Sequence, residues 1–444
     1  MTAHVVAAAL FALTLVACRT ASQQPLPPER VVLVSIDTLR ADHLGAYGYS
    51  RPTSPKLDAF AAGGVIFTDV TSPSPWTLPA HASLFTGFYP GRHGLASSSA
   101  KLPATVTTLA QHLAARGFQT AAVVNSNYLS PVFGLERGFQ RFRHVQESVG
   151  QREPGREVTE QAIAWAEAMR GQRAFLFVHY YDVHSDYRSL PEYERQFVGS
   201  YTGSVDGSTA QLLDARRRGT RFDEADVRHL VDLYDAGIRQ MDDELARLLA
   251  GLGDDQRTLV LVTSDHGEEF LEHGGVLHGR TQYQELVRVP LILRGPGVPV
   301  GVRVDRTVSL VDVMPTILAA VGEPVPAGLD GSDLAPSWRG AGAELDGRYL
   351  SCEADHNNAE PDVVRAVRHR RHTLHVDRLS GKVALFDLGV DPREQRDVAG
   401  AQPAIATELR AELERHRAAR VEAGGSVTLT PEQEERLRSL GYVR

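Results

Sequence analysis

The chain has 444 residues, 42% of them hydrophobic and 23% charged, which is ordinary globular usage and excludes a collagen-like, coiled-coil or largely disordered chain. Lys and Arg total 47 against 55 Asp and Glu, a formal charge of -8 with no excess of positive charge for a phosphate backbone, so no nucleic acid polymer is expected as a partner. Two cysteines, Cys18 and Cys352, are too few for a disulfide framework or a Cys-rich metal site.

In chain order, residues 5–16 are apolar except for Thr14, too short a run to span a bilayer and of the length of a signal-peptide core. Leu15-Val16-Ala17-Cys18 follows and resembles a bacterial lipobox, which predicts a leader over 1–18 and export to the bacterial cell envelope, with a lipid anchor to the membrane on Cys18 or, if the leader is a plain secretory signal, a periplasmic location. The Pro-rich polar stretch 19–29 reads as a tether. From Arg30 onward short apolar runs alternate with amphipathic segments, the pattern of an α/β domain: a large mixed, mostly parallel sheet with helices on both faces. Buried strands are predicted at 31–36, 120–124, 175–178 and 259–262, and helices at 106–116, 158–170, 224–250 and 311–321, several closed by glycines such as Gly117, Gly171 and Gly251. The polar segments 146–155 and 187–221 read as loops that shape a pocket. Pro and Gly accumulate near 326–340, so the catalytic domain is expected to cover 30–330. A smaller α+β subdomain over 331–424 follows, with strands at 348–353, 363–368 and 372–377 and a helix at 403–420, then a tail over 425–444.

Two buried strands end in acid, at Ile36-Asp37 and at Thr263-Ser264-Asp265-His266. A continuous apolar run that stops at a carboxylate places it at the C-terminal edge of a parallel strand, where open α/β sheets hold their ligands. Asp37, Asp265 and His266 together suit one divalent cation, and the imidazole favours manganese, zinc or iron over calcium. Pro79 suits the first turn of a helix and Gly87 its end, so Thr77 stands at a helix N-terminus, where free amides favour an anion. A hydroxyl there, beside a cation that lowers its pKa, is a nucleophile toward a tetrahedral oxyanion ester. Glu268, Glu269 and Glu272 read as a solvated acidic turn.

The run Val34-Ser35-Ile36-Asp37-Thr38-Leu39-Arg40-Ala41-Asp42-His43-Leu44-Gly45, the element Thr77-Leu78-Pro79-Ala80-His81, the segment His179-Tyr180-Tyr181-Asp182-Val183-His184 and Thr263-Ser264-Asp265-His266-Gly267-Glu268 together resemble the sulfatase family of the alkaline phosphatase superfamily. The resemblance extends to the family's C-terminal subdomain near Leu385–Pro392. It implies Asp37, Asp265 and His266 as ligands of Mn, Zn or Ca, Thr77 as nucleophile, His81, Asn125 and His184 as contacts to the ester oxygens, and His278 as the group that polarises the leaving oxygen. It also implies one metal, with Asp182, His184, His273 and His278 the available ligands for a second.

Where that family carries a Cys or Ser that becomes formylglycine, this chain has Thr77, which cannot be converted that way. His81 stands in place of the motif's arginine, Thr38 in place of a second acid and Asn125 in place of a lysine. The expected activity is a metal-dependent hydrolase of a small sulfate or phosphate ester, phosphorus esters favoured, on a glycan or lipid headgroup. Two alternatives stand beside it: a phosphoalcohol transferase, and a catalytically weak surface lipoprotein that binds anions.

Overall fold

The computed structural model describes residues 26–146, 152–253, 256–353, 364–421 and 424–439. The leader, the lipobox and most of the tether therefore lie outside the described residues. Ten strands belong to the first part of the chain: β1 (Arg30–Ile36), β2 (Val65–Thr71), β3 (Gln119–Val124), β4 (Arg141–His144), β5 (Ala174–Tyr180), β6 (Thr258–Thr263), β7 (Glu269–Phe270), β8 (Val276–Leu277), β9 (Arg288–Arg294) and β10 (Val302–Ser309). Eight of them form one sheet in the order β10-β2-β9-β6-β1-β5-β3-β4, and β7 with β8 forms a separate hairpin. Within the large sheet β9 alone runs antiparallel to its neighbours.

β1 lies at the centre, paired with β5 on one side and β6 on the other, and all seven of its residues are buried. That two-sided burial is why the strand reads as an uninterrupted apolar run rather than an alternation. Val32, Val34 and Ile36 face a core that also takes in residues of the helices Pro55–Ala62, Gly155–Ala168 and Glu224–Leu252. Val31 and Leu33 face the opposite core, with residues of Thr77–Thr86, Leu109–Ala114 and Val313–Ala320. The register sets Ser35 opposite both His179 and Thr263, so the residues after β1, β5 and β6 emerge side by side at one edge.

Four antiparallel strands, β11 (Tyr349–Glu353), β12 (Val364–His369), β13 (His372–Asp377) and β14 (Val383–Asp387), make the second sheet. Leu409 and Leu413 of the helix Pro403–Ala418 seal its core against Val367, Leu374 and Leu385. The expected tail holds a helix at Pro431–Ser439, whose Leu437 returns to the main core.

Three local readings are corrected. The helix expected over 106–116 begins only at Leu109, because Thr108 caps it: its hydroxyl accepts the Gln111 N–H while the Gln111 side chain takes the Thr108 N–H. Gly251 lies inside the helix Glu224–Leu252, where an added Cβ would stand 2.5 Å from Ile163, and Gly253 at φ 74° closes the helix instead. The segment expected as a long loop over 187–221 contains two helices, Pro191–Phe197 and Thr209–Arg218.

Candidate active site

Asp37 follows the last residue of β1, and its backbone N–H donates to the Tyr180 carbonyl at 2.8 Å, which continues the β1–β5 ladder by one rung. The loop after it is pinned: Leu39 N–H donates to Ser264 Oγ at 3.0 Å, and the Tyr234 hydroxyl donates to the Thr38 carbonyl at 2.7 Å. Thr38 itself has a positive φ of 55° and a buried hydroxyl with no partner among the described residues. From β6, Asp265 and His266 reach the same spot, and Asp265 Oδ1 accepts the His266 N–H. His266 Nδ1 donates to the Gly267 carbonyl at 2.9 Å, which leaves Nε2 as a lone-pair donor. That Nε2 lies 3.5 Å from Asp37 Oδ1 and 3.4 Å from Asp265 Oδ2.

This triad fits a divalent cation. Asp37 Oδ1 and Asp265 Oδ2 are buried with no hydrogen-bond partner, and ligand atoms from Asp37, Asp265 and His266 all lie within 4.8 Å of one another. Burial, followed by the charge of Asp265, holds the Asp37 carboxyl well above its usual range. Two carboxylates so placed need a positive charge between them, and no lysine or arginine among the described residues hydrogen-bonds either one.

Thr77 opens the helix Thr77–Thr86, whose ten residues are all buried and which Gly87 ends at φ 69°. Its Oγ1 lies 3.4 Å from Asp37 Oδ2 and 3.4 Å from His266 Nε2. Thus Thr77, the helix N-terminus and the Asp37–Asp265–His266 triad converge.

His81 lies one turn along that helix. Its Nδ1 donates to the Thr77 carbonyl at 2.9 Å and its Nε2 accepts from Ser35 Oγ at 3.0 Å, so both nitrogens hold the start of the helix to β1 rather than facing an ester oxygen. Behind it stands His179, a residue the sequence reading did not single out. His179 Nε2 is 3.4 Å from Asp37 Oδ2, and its ring centroid is 5.0 Å from that of His81. Burial pushes both imidazoles down to about 4, so they are neutral near pH 7. The signal for His179 was its place at the end of β5, level with Ser35.

The opposite wall is His184, His278 and Glu268. The His184 and His278 ring centroids are 4.8 Å apart, and those of His266 and His278 are 4.4 Å apart. Burial, then the neighbouring His278, pushes His184 down to about 3; burial and the charge of His266 hold His278 well below its ordinary value. The acidic turn expected at 268–272 is not solvated: Glu268 and Glu269 are buried, and Glu268 Oε1 lies 2.9 Å from His278 Nδ1. Burial raises the Glu268 carboxyl. Only Glu272 is partly exposed, in an ion pair with Arg40. Asn125, one residue beyond β3, is fully buried with both amide atoms unpartnered among the described residues.

Of the four residues expected to be available to a second metal, His184 and His278 share a wall of the site, while Asp182 and His273 are engaged elsewhere. Asp182 accepts the Gly155 N–H at 3.0 Å, and His273 Nδ1 binds Glu285 at 2.6 Å. The second donor cluster among the described residues is His81, His179 and Asp265 instead.

A doubly covered, mostly parallel sheet with this constellation at the strand ends defines a hydrolase of sulfuric or phosphoric esters with the alkaline phosphatase-like fold. The chain belongs to the sulfatase family, whose model matches residues 29–323. The model for the C-terminal part of N-sulphoglucosamine sulphohydrolase matches residues 272–419. Arylsulfatase A of Homo sapiens is 26% identical over 498 residues, covering 91% of this chain and 90% of that protein. The delta 4,5-hexuronate-2-O-sulfatase of Bacteroides thetaiotaomicron is 24% identical, with 86% of each covered. Among solved structures, the phosphonate monoester hydrolase of Agrobacterium radiobacter superposes with a TM-score of 0.71 at 20% identity, covering 91% of this chain and 100% of that one.

Proposed function

We propose that the enzyme hydrolyses a phosphate or sulfate ester, phosphorus esters by preference, with Thr77 as nucleophile and one divalent cation held by Asp37, Asp265 and His266. The observation that carries this reading is the position of Thr77 Oγ1, 3.4 Å from both Asp37 Oδ2 and His266 Nε2. A cation in that triad supplies positive charge that lowers the hydroxyl pKa and neutralises an ester oxygen. Asp37 Oδ2 orients the hydroxyl, and His81 fixes the backbone that carries it. Asn125 and His184 contact the non-bridging oxygens.

Thr77 Oγ attacks phosphorus in line as its proton passes to Asp37 Oδ2, to which the hydroxyl donates, and the bond from phosphorus to the leaving oxygen breaks. Glu268, whose carboxyl burial raises, would pass its proton to His278 Nδ1 while the hydrogen on Nε2 passes to the leaving oxygen. Water then attacks phosphorus and gives one proton back to the His278–Glu268 pair, while the Thr77 oxygen departs and recovers its proton from Asp37. A threonine sulfate lacks the second hydroxyl by which a formylglycine hydrate expels sulfate through C–O cleavage. Direct attack at phosphorus carries no such requirement.

The substrate class is a small ester on a glycan or lipid headgroup, and the lipobox-like run ending at Cys18 supports attachment to a membrane of the bacterial envelope. The test uses residues 19–444 reconstituted with Mn or Zn on the nitrophenyl sulfate, phosphate monoester, phosphodiester and phosphonate. Phosphorus-ester turnover that disappears in Thr77→Ala, with an unaltered circular dichroism spectrum, supports the assignment. An undiminished rate in that variant sinks it, and turnover of the sulfate alone overturns the preference for phosphorus.

A further inference from the structure

Beside His278 the molecule opens into a cavity of about 690 Å³ between the helix Thr209–Arg218 and the β7–β8 hairpin. Three arginines line it: Arg216, Arg221 and Arg280. Arg216 donates from Nη2 to the carbonyls of Val276 and, at 3.4 Å, His278, and pairs with no carboxylate among the described residues. Its Nε and Nη1 are left for the cavity. Burial, then the charge of Arg280, pushes its guanidinium down to about 10, which marks a positive charge short of a counter-ion. Arg221 and Arg280 are exposed and make no hydrogen bond or ion pair among the described residues. Glu269 is the one carboxylate in the lining; it accepts the Gly275 N–H at 2.8 Å, and burial raises it to about 7. His273, also in the wall, is committed to Glu285.

A half-buried guanidinium without a carboxylate partner is open to an anion. Here the excess of positive charge sits next to the imidazole that serves the leaving oxygen, and its forks match a carboxylate, sulfate or phosphate. We propose that Arg216, Arg221 and Arg280 form a second anion subsite, so that the preferred ester carries an additional anionic group on its leaving-group half. This rests on the ester-hydrolase reading and specifies its substrate class.

The experiment compares 4-carboxyphenyl with 4-carbamoylphenyl esters of phosphate and of sulfate, which differ in charge and little in leaving ability. Calorimetric binding of 4-hydroxybenzoate and 4-hydroxybenzamide is measured in parallel. We expect kcat/KM to favour the carboxylate ester about tenfold, the scale of one charge-assisted hydrogen bond, and the ratio to fall to about one in Arg280→Gln and Arg216→Gln. Arg216 also holds two backbone carbonyls, so Arg280→Gln, which removes no contact within the protein, is the deciding variant. A ratio near one in the wild type, or one unmoved by Arg280→Gln, overturns the subsite. If no ester is turned over, the hydrolase reading falls, and calorimetry still decides the subsite. Tighter binding of the acid than the amide, lost in Arg280→Gln, sustains it, and equal binding overturns it.

Discussion

Among the described residues Asp37 and Asp265 each leave one buried oxygen without a hydrogen-bond partner, and no lysine or arginine bonds either. Burying an unpaired carboxylate costs several kcal/mol, so a cation bound there is also a folding ligand. Adding Mn or Zn to metal-free enzyme should raise Tm in proportion to the logarithm of metal concentration, and Asp265→Asn should abolish that response. In chelator the variant should melt below the wild type, because, against its burial, the imidazoles of His266, His81 and His179 hold the Asp265 carboxyl low and its loss costs native-state stability. A wild-type Tm indifferent to metal would refute the triad as a cation site. Glu268 invites a second residue-scale prediction. In Glu268→Gln the amide still orients His278 but has no proton to pass on, so the loss should scale with leaving-group basicity. We expect about a hundredfold loss for phenyl phosphate and a far smaller one for 2,4-dinitrophenyl phosphate, whose leaving oxygen needs no proton. Equal losses on the two esters would leave Glu268 a purely structural residue.

At the scale of elements, what could be read in the sequence was what burial on both sides makes unambiguous. β1, β3, β5 and β6 are the sheet's uninterrupted apolar strands, and Asp37, Asp265 and His266 were visible because such runs end abruptly in acid. β2, β9 and β10 were not visible. Asp69 interrupts the first and charged residues the last, while Pro290 argues against an interior strand in the second. The structure accommodates Pro290 where the β2–β9 register shifts between Phe67 and Val70, a bulge at which a ladder hydrogen bond is already forgone. Its carbonyl still accepts from Thr263 Oγ1 at 2.7 Å. The same limit explains Glu268: a run of acids reads as a wet turn until the β7–β8 hairpin folds it inward against His278. His81 was seen but given the wrong partners, since an i to i−4 bond to the Thr77 carbonyl cannot be distinguished by spacing from a side chain aimed at a ligand.

Across the whole molecule, the β7–β8 hairpin ties the wall formed by Glu268 and His278 to the C-terminal sheet. His273 at its turn binds Glu285 through Nδ1, reaches the Glu394 carbonyl through Nε2 at 3.1 Å, and stacks on Tyr283 with ring centroids 3.5 Å apart. Tyr283 in turn lies against His375 of β13. Burial alone would lower the His273 pKa, but the hydrogen bond and charge of Glu285, aided by Glu394, raise it to about 9. A histidine whose folded pKa exceeds its unfolded value of about 6.5 stabilises the native state fully below that value, and the contribution is lost as pH rises through 9. His273 is half-buried, so solvent screening reduces the size of the effect without changing its sign. The Tm gap between wild type and His273→Gln should therefore be widest near pH 6 and narrow steadily toward pH 10. Because the same hairpin carries Glu268 before it and His278 after it, the alkaline loosening should also lower kcat on phenyl phosphate more than on the dinitrophenyl ester. A Tm gap that stays constant across that range would show that the imidazole acts there by shape alone, and the link between the two sheets would then be independent of charge.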